Sequence, residues 1–171
     1  MPAHEPDAPA VRARPNMPEY GISSKEEGLM SWEWVDEQMA KSRNYWIVST
    51  RPDGSPHAAP VWGLWLEGRL YFGSAPSSRK ARNFAHNPEI VVHLESGDET
   101  VIMEGRVRQE TDQEVNRRVG ALYAPKYAMP ANEDPSPGGY FVFTPHTVFA
   151  WTEKDYPNTA TRWTFKKPAS A

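Results

Sequence analysis

Between proline-bearing ends, the chain is written as short apolar runs rich in β-branched and aromatic side chains. Turn signals and three stretches of helical spacing separate them. Trp32, Val35 and Met39 fall on one face of a helix over 31–42, with Ser31 as its N-cap. The run 44–50 predicts a strand, Asp53-Gly54 a hairpin turn, and 57–66 the returning strand. Glu67-Gly68-Arg69 turns the chain into a strand over 70–74. A helix opening at Ser77 or Ser78 buries Ala81, Phe84 and Ala85 and stops at Asn87-Pro88. Strands over 89–95 and 99–109 are joined by Ser96-Gly97-Asp98. Thr111 and Glu114 make a capping box for a helix that carries Val115, Val119 and Leu122 and ends at Pro125. After a loop over 125–139, strands over 140–152 and 161–165 complete the pattern. About seven strands, mostly hairpin-connected, predict a mainly antiparallel β fold with flanking helices, either a barrel or a strongly bent sheet.

Pro60 cannot donate to a ladder, so it marks an edge, a bulge or a close approach, and Gly63 lies on the same run. A strand that breaks its own ladder beside Trp62 and Trp65 is a candidate ligand wall. Residues 1–20 hold five prolines and almost no large apolar side chains, which predicts a mobile arm. Residues 167–171 read as a tail, leaving one domain over 21–166. Its length is ordinary for one core: the chain has 171 residues and weighs 19.4 kDa, against roughly 150 per domain.

The absence of cysteine excludes disulfides, iron–sulfur clusters, thiolate zinc sites and a cysteine nucleophile. A net charge of −3 argues against a global grip on nucleic acid. The longest nearly apolar run, 58–66, is far short of the ~20 residues of a membrane span, and the start has no apolar signal core. The expected location is cytoplasmic, with no membrane span.

Among the five histidines, His4, His57, His86, His93 and His146, none makes a metal-ligand spacing, and GxSxG, P-loop and GxGxxG motifs are all absent. No catalytic side chain and no metal site are therefore nominated. One place stands out. At the start of the second helix, Ser78, Arg79, Lys80 and Arg82 gather a hydroxyl, free first-turn amides and three cations. That set makes an anion cradle, most naturally for phosphate; the competing reading is a basic solvated helix face. Trp62 and Trp65 point to opposite faces of one strand by its period of two. With Trp46, Trp151 and Trp163 they serve core, subunit interface or the walls of a flat conjugated cofactor.

The hairpin RPDGSPHAAPVW, the strand LYFGS, the helix start SSRKARN with its Asn87-Pro88 stop, the strand VIMEGRV and the ending FAW…TRWTF occur in one order. In that order the chain, from about Trp32 to Phe165, resembles the pyridoxamine 5′-phosphate oxidase-like split-barrel flavoproteins, and within them the flavin/deazaflavin oxidoreductase branch. The resemblance implies a six-stranded split β-barrel that forms a homodimer with two shared cofactor sites. It implies a phosphate against Ser78, Arg79 and Lys80, and a ring against Ala59, Pro60, Val61 and Trp62. Phe72 and Gly73 are implied as further cofactor contacts. Thr100, Trp151 and Arg162 are implied to approach from the partner subunit or the C-terminal strand. The vitamin B6 oxidases carry basic residues at the positions of Ala59 and Leu64, both apolar here, and their substrate signature near the C-terminus is absent.

The expected function is that of an oxidoreductase dependent on the deazaflavin coenzyme F-420, passing a hydride to an unsaturated small molecule. Arg82 would suit that coenzyme's acidic tail. FMN is the rival cofactor. A second class of function is a haem-binding protein without turnover, with His57, His93 or His146 as axial ligand. A third is a cofactor-free interaction barrel, against which the cradle argues. The 125–139 loop, with Gly138 and Gly139 as hinges, is expected to act as a lid over the substrate.

Overall fold

The computed structural model describes residues 11–130, 136 and 138–165. The β-branched and aromatic runs form strands where the sequence predicts them: β2 (Asn44–Thr50), β3 (Pro56–Trp62), β4 (Leu64–Leu66), β5 (Arg69–Gly73), β6 (Glu89–His93), β7 (Glu99–Gln109), β8 (Tyr140–Thr152) and β9 (Thr161–Thr164). A short β1 (Val11–Ala13) precedes them. The helices are α1 (Trp32–Lys41), α2 (Arg79–His86), α3 (Gln113–Lys126) and a single turn, α4 (Tyr156–Thr159).

Every pairing is antiparallel. β2 pairs with β3 and β6, β6 with β7, β7 with β8, β8 with β5, and β5 with β4. Because β3 and β4 are one run broken at Gly63, these strands trace the expected six-stranded barrel, split between the halves of that run. The mechanism of the split lies on β8. Its first half, Tyr140–Phe143, pairs with β5, whereas Thr147–Ala150 pairs with β9. Between those halves the β7–β8 register shifts at Glu104/Gly105, and the added bend of a bulge lets one strand serve two neighbours.

The core lies inside the ring. Tyr45, Ile47, Leu70, Phe72, Val92, Met103 and Phe143 are fully buried, and α1 closes one end with Val35 and Met39. Trp163 is also core, edge-on to Trp32 with ring centroids 5.8 Å apart. A second cluster packs under α3: Tyr71, Val119, Tyr123, Tyr127, Tyr140 and Val142. Burying both faces of β5 and β8 in this way accounts for their apolar runs.

Three local expectations are corrected. Asp112, not Thr111, caps α3: its carboxylate accepts from the amides of Glu114 at 2.8 Å and Val115 at 3.3 Å. One carboxylate oxygen serving two amides outcompetes a hydroxyl, and Glu114 is drawn instead to Arg117 at 2.9 Å. The helix also runs through Pro125 to Lys126. On α2, Ala85 is exposed, and Asn83 takes the buried place expected for it.

The N-terminal segment departs from the expected free arm over residues 11–20. β1 pairs with β9, Val11 opposite Thr164. Arg14 then donates to the carbonyls of Lys25, Glu27, Asn158 and Ala160, at 2.7, 2.8, 2.5 and 3.0 Å. Backbone pairing and one guanidinium supply what the missing apolar side chains do not. Residues 1–10, the tail over 167–171 and six residues of the expected lid (131–135 and 137) lie outside the described residues. Among the described residues, no helix is long and apolar enough to cross a membrane.

Candidate functional site

The β2–β3 hairpin sets Ser49 directly opposite His57, so both side chains share the inner face of the pair. From α2, Asn83 donates to Ser49 Oγ at 2.9 Å. This ties the middle of α2 to β2 at the position opposite His57. Ser78 is the N-cap of α2, accepting from Ala81 N at 3.2 Å, and its hydroxyl lies 2.8 Å from that of Ser74 at the end of β5. The amides of Arg79 and Lys80 have no acceptor among the described residues, as expected for the first turn of a helix.

The electrostatics of this corner are one-sided. Among the described residues no carboxylate comes within ion-pair distance of Arg51, Arg79, Lys80 or Arg82. Burial holds the Lys80 ammonium below the usual lysine range. His57 is held below its ordinary range too, first by burial and then by the positive charges of Arg51, Lys80 and Arg79. Two buried polar atoms here, His57 Nδ1 and Asn83 Oδ1, have no hydrogen-bond partner. An uncompensated cationic corner with unmet hydrogen-bonding capacity suits an anionic group.

The ring wall expected from the sequence is divided by the pleat. Ala59 and Val61 face inward with His57, while Pro60 and Trp62 face out. Phe72 is fully buried against Phe84 and Phe141, and Gly73 ends β5 just before Ser74. Leu64 packs beside the α3 cluster and not at the cradle. Thr100 and Trp151 are cross-strand partners on β7 and β8. Arg162 pairs with Phe149 and with Ala13, and its buried Nε has no hydrogen-bond partner. Within one chain these three stay away from the cradle. They lie on the outer sheet face: Arg162 continues the row Pro60, Trp46, His93, Ile102 and Phe149, and Thr100 with Trp151 form the next pair along that face. Trp46 stacks on His93 within that row, rings 2° from parallel. Two open hollows lie elsewhere, one of about 590 Å³ beside Asp98, Glu99 and Lys154, the other of about 320 Å³ beside Val48, Glu89 and His146. Among the described residues, His, Asp and Glu do not gather in threes at metal-ligand range.

Sequence reasoning missed the device that holds Trp62. At the Gly63 break, Tyr127 Oη accepts from Gly63 N and bridges to the carbonyls of Gly63 and Arg43, at 2.8, 2.8 and 2.7 Å. Lys126 donates to Gly63 O at 2.9 Å and to Tyr45 Oη at 2.8 Å. Trp62, 42% exposed, stacks on Tyr127 with centroids 4.5 Å apart, and Arg43 lies over both rings. A Cβ on Gly63 would meet Leu70 Cδ1 at 2.8 Å and Tyr45 Cδ2 at 3.1 Å, so a larger residue here would press on the core side chains. The one available signal was the Lys126-Tyr127 pair just after Pro125.

Burial lowers the Lys126 ammonium to about 8 from 10.5. The unfolded chain therefore holds more protons between those pH values, and this residue's contribution to stability rises with pH across that window. Burial pushes the Tyr45, Tyr123 and Tyr127 hydroxyls up instead, so their contribution is present below pH 10 and lost above it. Melting curves from pH 7.5 to 10.5 should show stability rising from about pH 8 toward 10, and Lys126→Met should flatten that rise. A wild-type curve flat over the window would show that the amine stays fully hydrated.

A family model described as pyridoxamine 5′-phosphate oxidase matches residues 32–152. Among solved structures, conserved hypothetical protein Rv2991 from Mycobacterium tuberculosis aligns with a TM-score of 0.66 at 22% identity, over 77% of this chain and 90% of that one. An F420 reductase aligns with a TM-score of 0.53 at 21% identity, over 66% and 94%. A heme binding protein from Mycobacterium smegmatis aligns with a TM-score of 0.57 at 14% identity, over 77% and 62%. At these identities the likeness is one of fold. No curated protein matches the chain.

Proposed function

The chain belongs to the pyridoxamine 5′-phosphate oxidase family, and from that premise we propose that it is an oxidoreductase working with a phosphate-bearing deazaflavin of the coenzyme F-420 type. The observation that carries this reading is the corner of Arg51, Arg79, Lys80 and His57, which holds no carboxylate among the described residues. Arg79, Lys80 and the free amides of α2 hold the phosphate. Arg82, exposed one turn on, is placed for an acidic tail. Ala59 shares the inner face of β3 with His57. FMN-binding relatives carry a cation at that position, which favours the deazaflavin over FMN.

When bound, the reduced cofactor supplies a hydride to an electron-poor double bond. The chain's part is to bind, orient and keep water out, and no protein nucleophile is needed. Trp62, held by Tyr127, offers a flat wall at the strand break. A second copy completes the site in this reading. The row of Pro60, Trp46, His93, Ile102 and Phe149, exposed at Pro60 and partly buried along the rest, with Trp62 beside it, is a largely apolar face that a homodimer would cover. An interface of standard size, about 1,600 Å² in total, suffices. Thr100, Trp151 and Arg162 then reach a cofactor from across that interface.

Equilibrium titration of purified protein with coenzyme F-420, FMN and haem tests the reading, with sedimentation run alongside. The expected result is a dimer that binds F-420 more tightly than FMN. Tight FMN binding with indifference to F-420 would replace the deazaflavin by FMN. A Soret band with neither flavin bound would replace the enzyme by a haem carrier. A monomer at micromolar concentration would remove the shared site.

A further inference from the structure

His57, Ser49 and Asn83 form a polar group on the inner face of the barrel wall that the phosphate contacts alone do not require. Ser49 is 2% exposed and Asn83 fully buried. Asn83 spends its amide donor on Ser49, leaving Oδ1 as an acceptor without a donor, while His57 leaves Nδ1 without a partner. A neutral imidazole has one donor and one acceptor; an imidazolium has two donors. Only the charged ring carries an N–H on both nitrogens, so that the unpartnered Nδ1 becomes a donor while the other nitrogen donates as well.

In the ligand-free site the charged ring is disfavoured. The charged groups that face His57 are Arg51 from the hairpin turn and Arg79 and Lys80 from α2, all positive. An incoming phosphate reverses the sign of that field. We propose that His57 takes up a proton when a phosphate group docks at the start of α2, so that this site binds its ligand with proton uptake and grips it more tightly as pH falls. The proposal rests on the reading of α2 as a phosphate site. Its sign follows from linkage. Free His57 titrates below its ordinary 6.5, and a bound phosphate raises it. Between the two values the complex holds more protons than its components, and binding tightens by up to tenfold per pH unit.

Isothermal titration at pH 6.5, in two buffers of different ionisation enthalpy, counts the protons taken up. The probes are coenzyme F-420, FMN and riboflavin, against wild type and His57→Gln. A phosphodiester such as that of F-420 does not titrate near this pH, whereas a phosphomonoester's own second pKa of about 6 adds a release that the variant subtracts. Wild type should take up more protons than His57→Gln with the phosphate-bearing probe that binds, and riboflavin should show no difference. The ¹⁵N shifts of the His57 ring in wild type should move toward the imidazolium on ligand addition, a readout that needs no variant to fold. Equal proton counts in the two proteins, or an unchanged His57 shift in a saturated complex, would overturn the inference while leaving the phosphate site standing. Failure of both F-420 and FMN to bind would overturn the site and the inference together.

Discussion

Gly105→Ala should cost more stability than any other single change named here, above about 3 kcal/mol, or a fall of roughly 6–12 °C in melting temperature for a chain of this size. A Cβ on Gly105 would sit 2.2 Å from the carbonyl oxygen of Thr144 and 2.7 Å from Phe143 Cε2. The first contact is with backbone, which cannot rotate away. Relief would require β7 and β8 to part at the register shift between Glu104 and Gly105. On either side of that point β8 changes neighbour from β5 to β9, so the damage would reach the barrel and its outer strands together. A variant melting within a degree or two of wild type would mean that the bulge relaxes freely.

The second large effect is on binding. Lys80→Ala should weaken the phosphate-bearing cofactor by roughly ten- to hundredfold, the loss of one charge-assisted contact of about 1.5–3 kcal/mol. The same substitution should leave the ligand-free protein as stable as wild type or slightly more so. Lys80 is partly buried among like charges and has no carboxylate partner, which disfavours the free fold. Opposite signs in the two measurements are the signature of a residue placed for a ligand at a cost to the fold. If both fell together, Lys80 would be a packing residue whose aliphatic stem supports α2.

The contrast between what the sequence displays and what it hides follows the range of the interactions. β2, β7 and β8 were legible because their β-branched and aromatic runs carry the strand preference locally. The cationic start of α2 was legible because Ser78, Arg79 and Lys80 are adjacent in the chain. The break after Trp62 was only hinted at by Gly63, since it is made by Lys126 and Tyr127 from 63 and 64 residues away. β1 was hidden for a different reason: Val-Arg-Ala pairs through its backbone with a strand at the other end of the chain, and backbone pairing leaves no side-chain pattern to read. Asn83 and His57 joined the cradle only through Ser49 on a neighbouring strand. The cap of α3 went to Asp112 and not to Thr111, a one-residue choice between two good caps that the local sequence does not decide.

The anchoring of Arg14 on the carbonyl of Ala160, 146 residues later, has a consequence for how the chain is made. Synthesis at about 5–20 residues per second puts roughly 7–30 s between the emergence of the two. Throughout that interval the first strand has no partner. Strands from β2 to β8 can trace the barrel without it, whereas β1 and the turn held by Arg14 must wait for Thr161–Thr164. The N-terminal segment therefore cannot dock before Thr161–Thr164 has emerged, whereas the pairing of β2 to β8 need not wait for it.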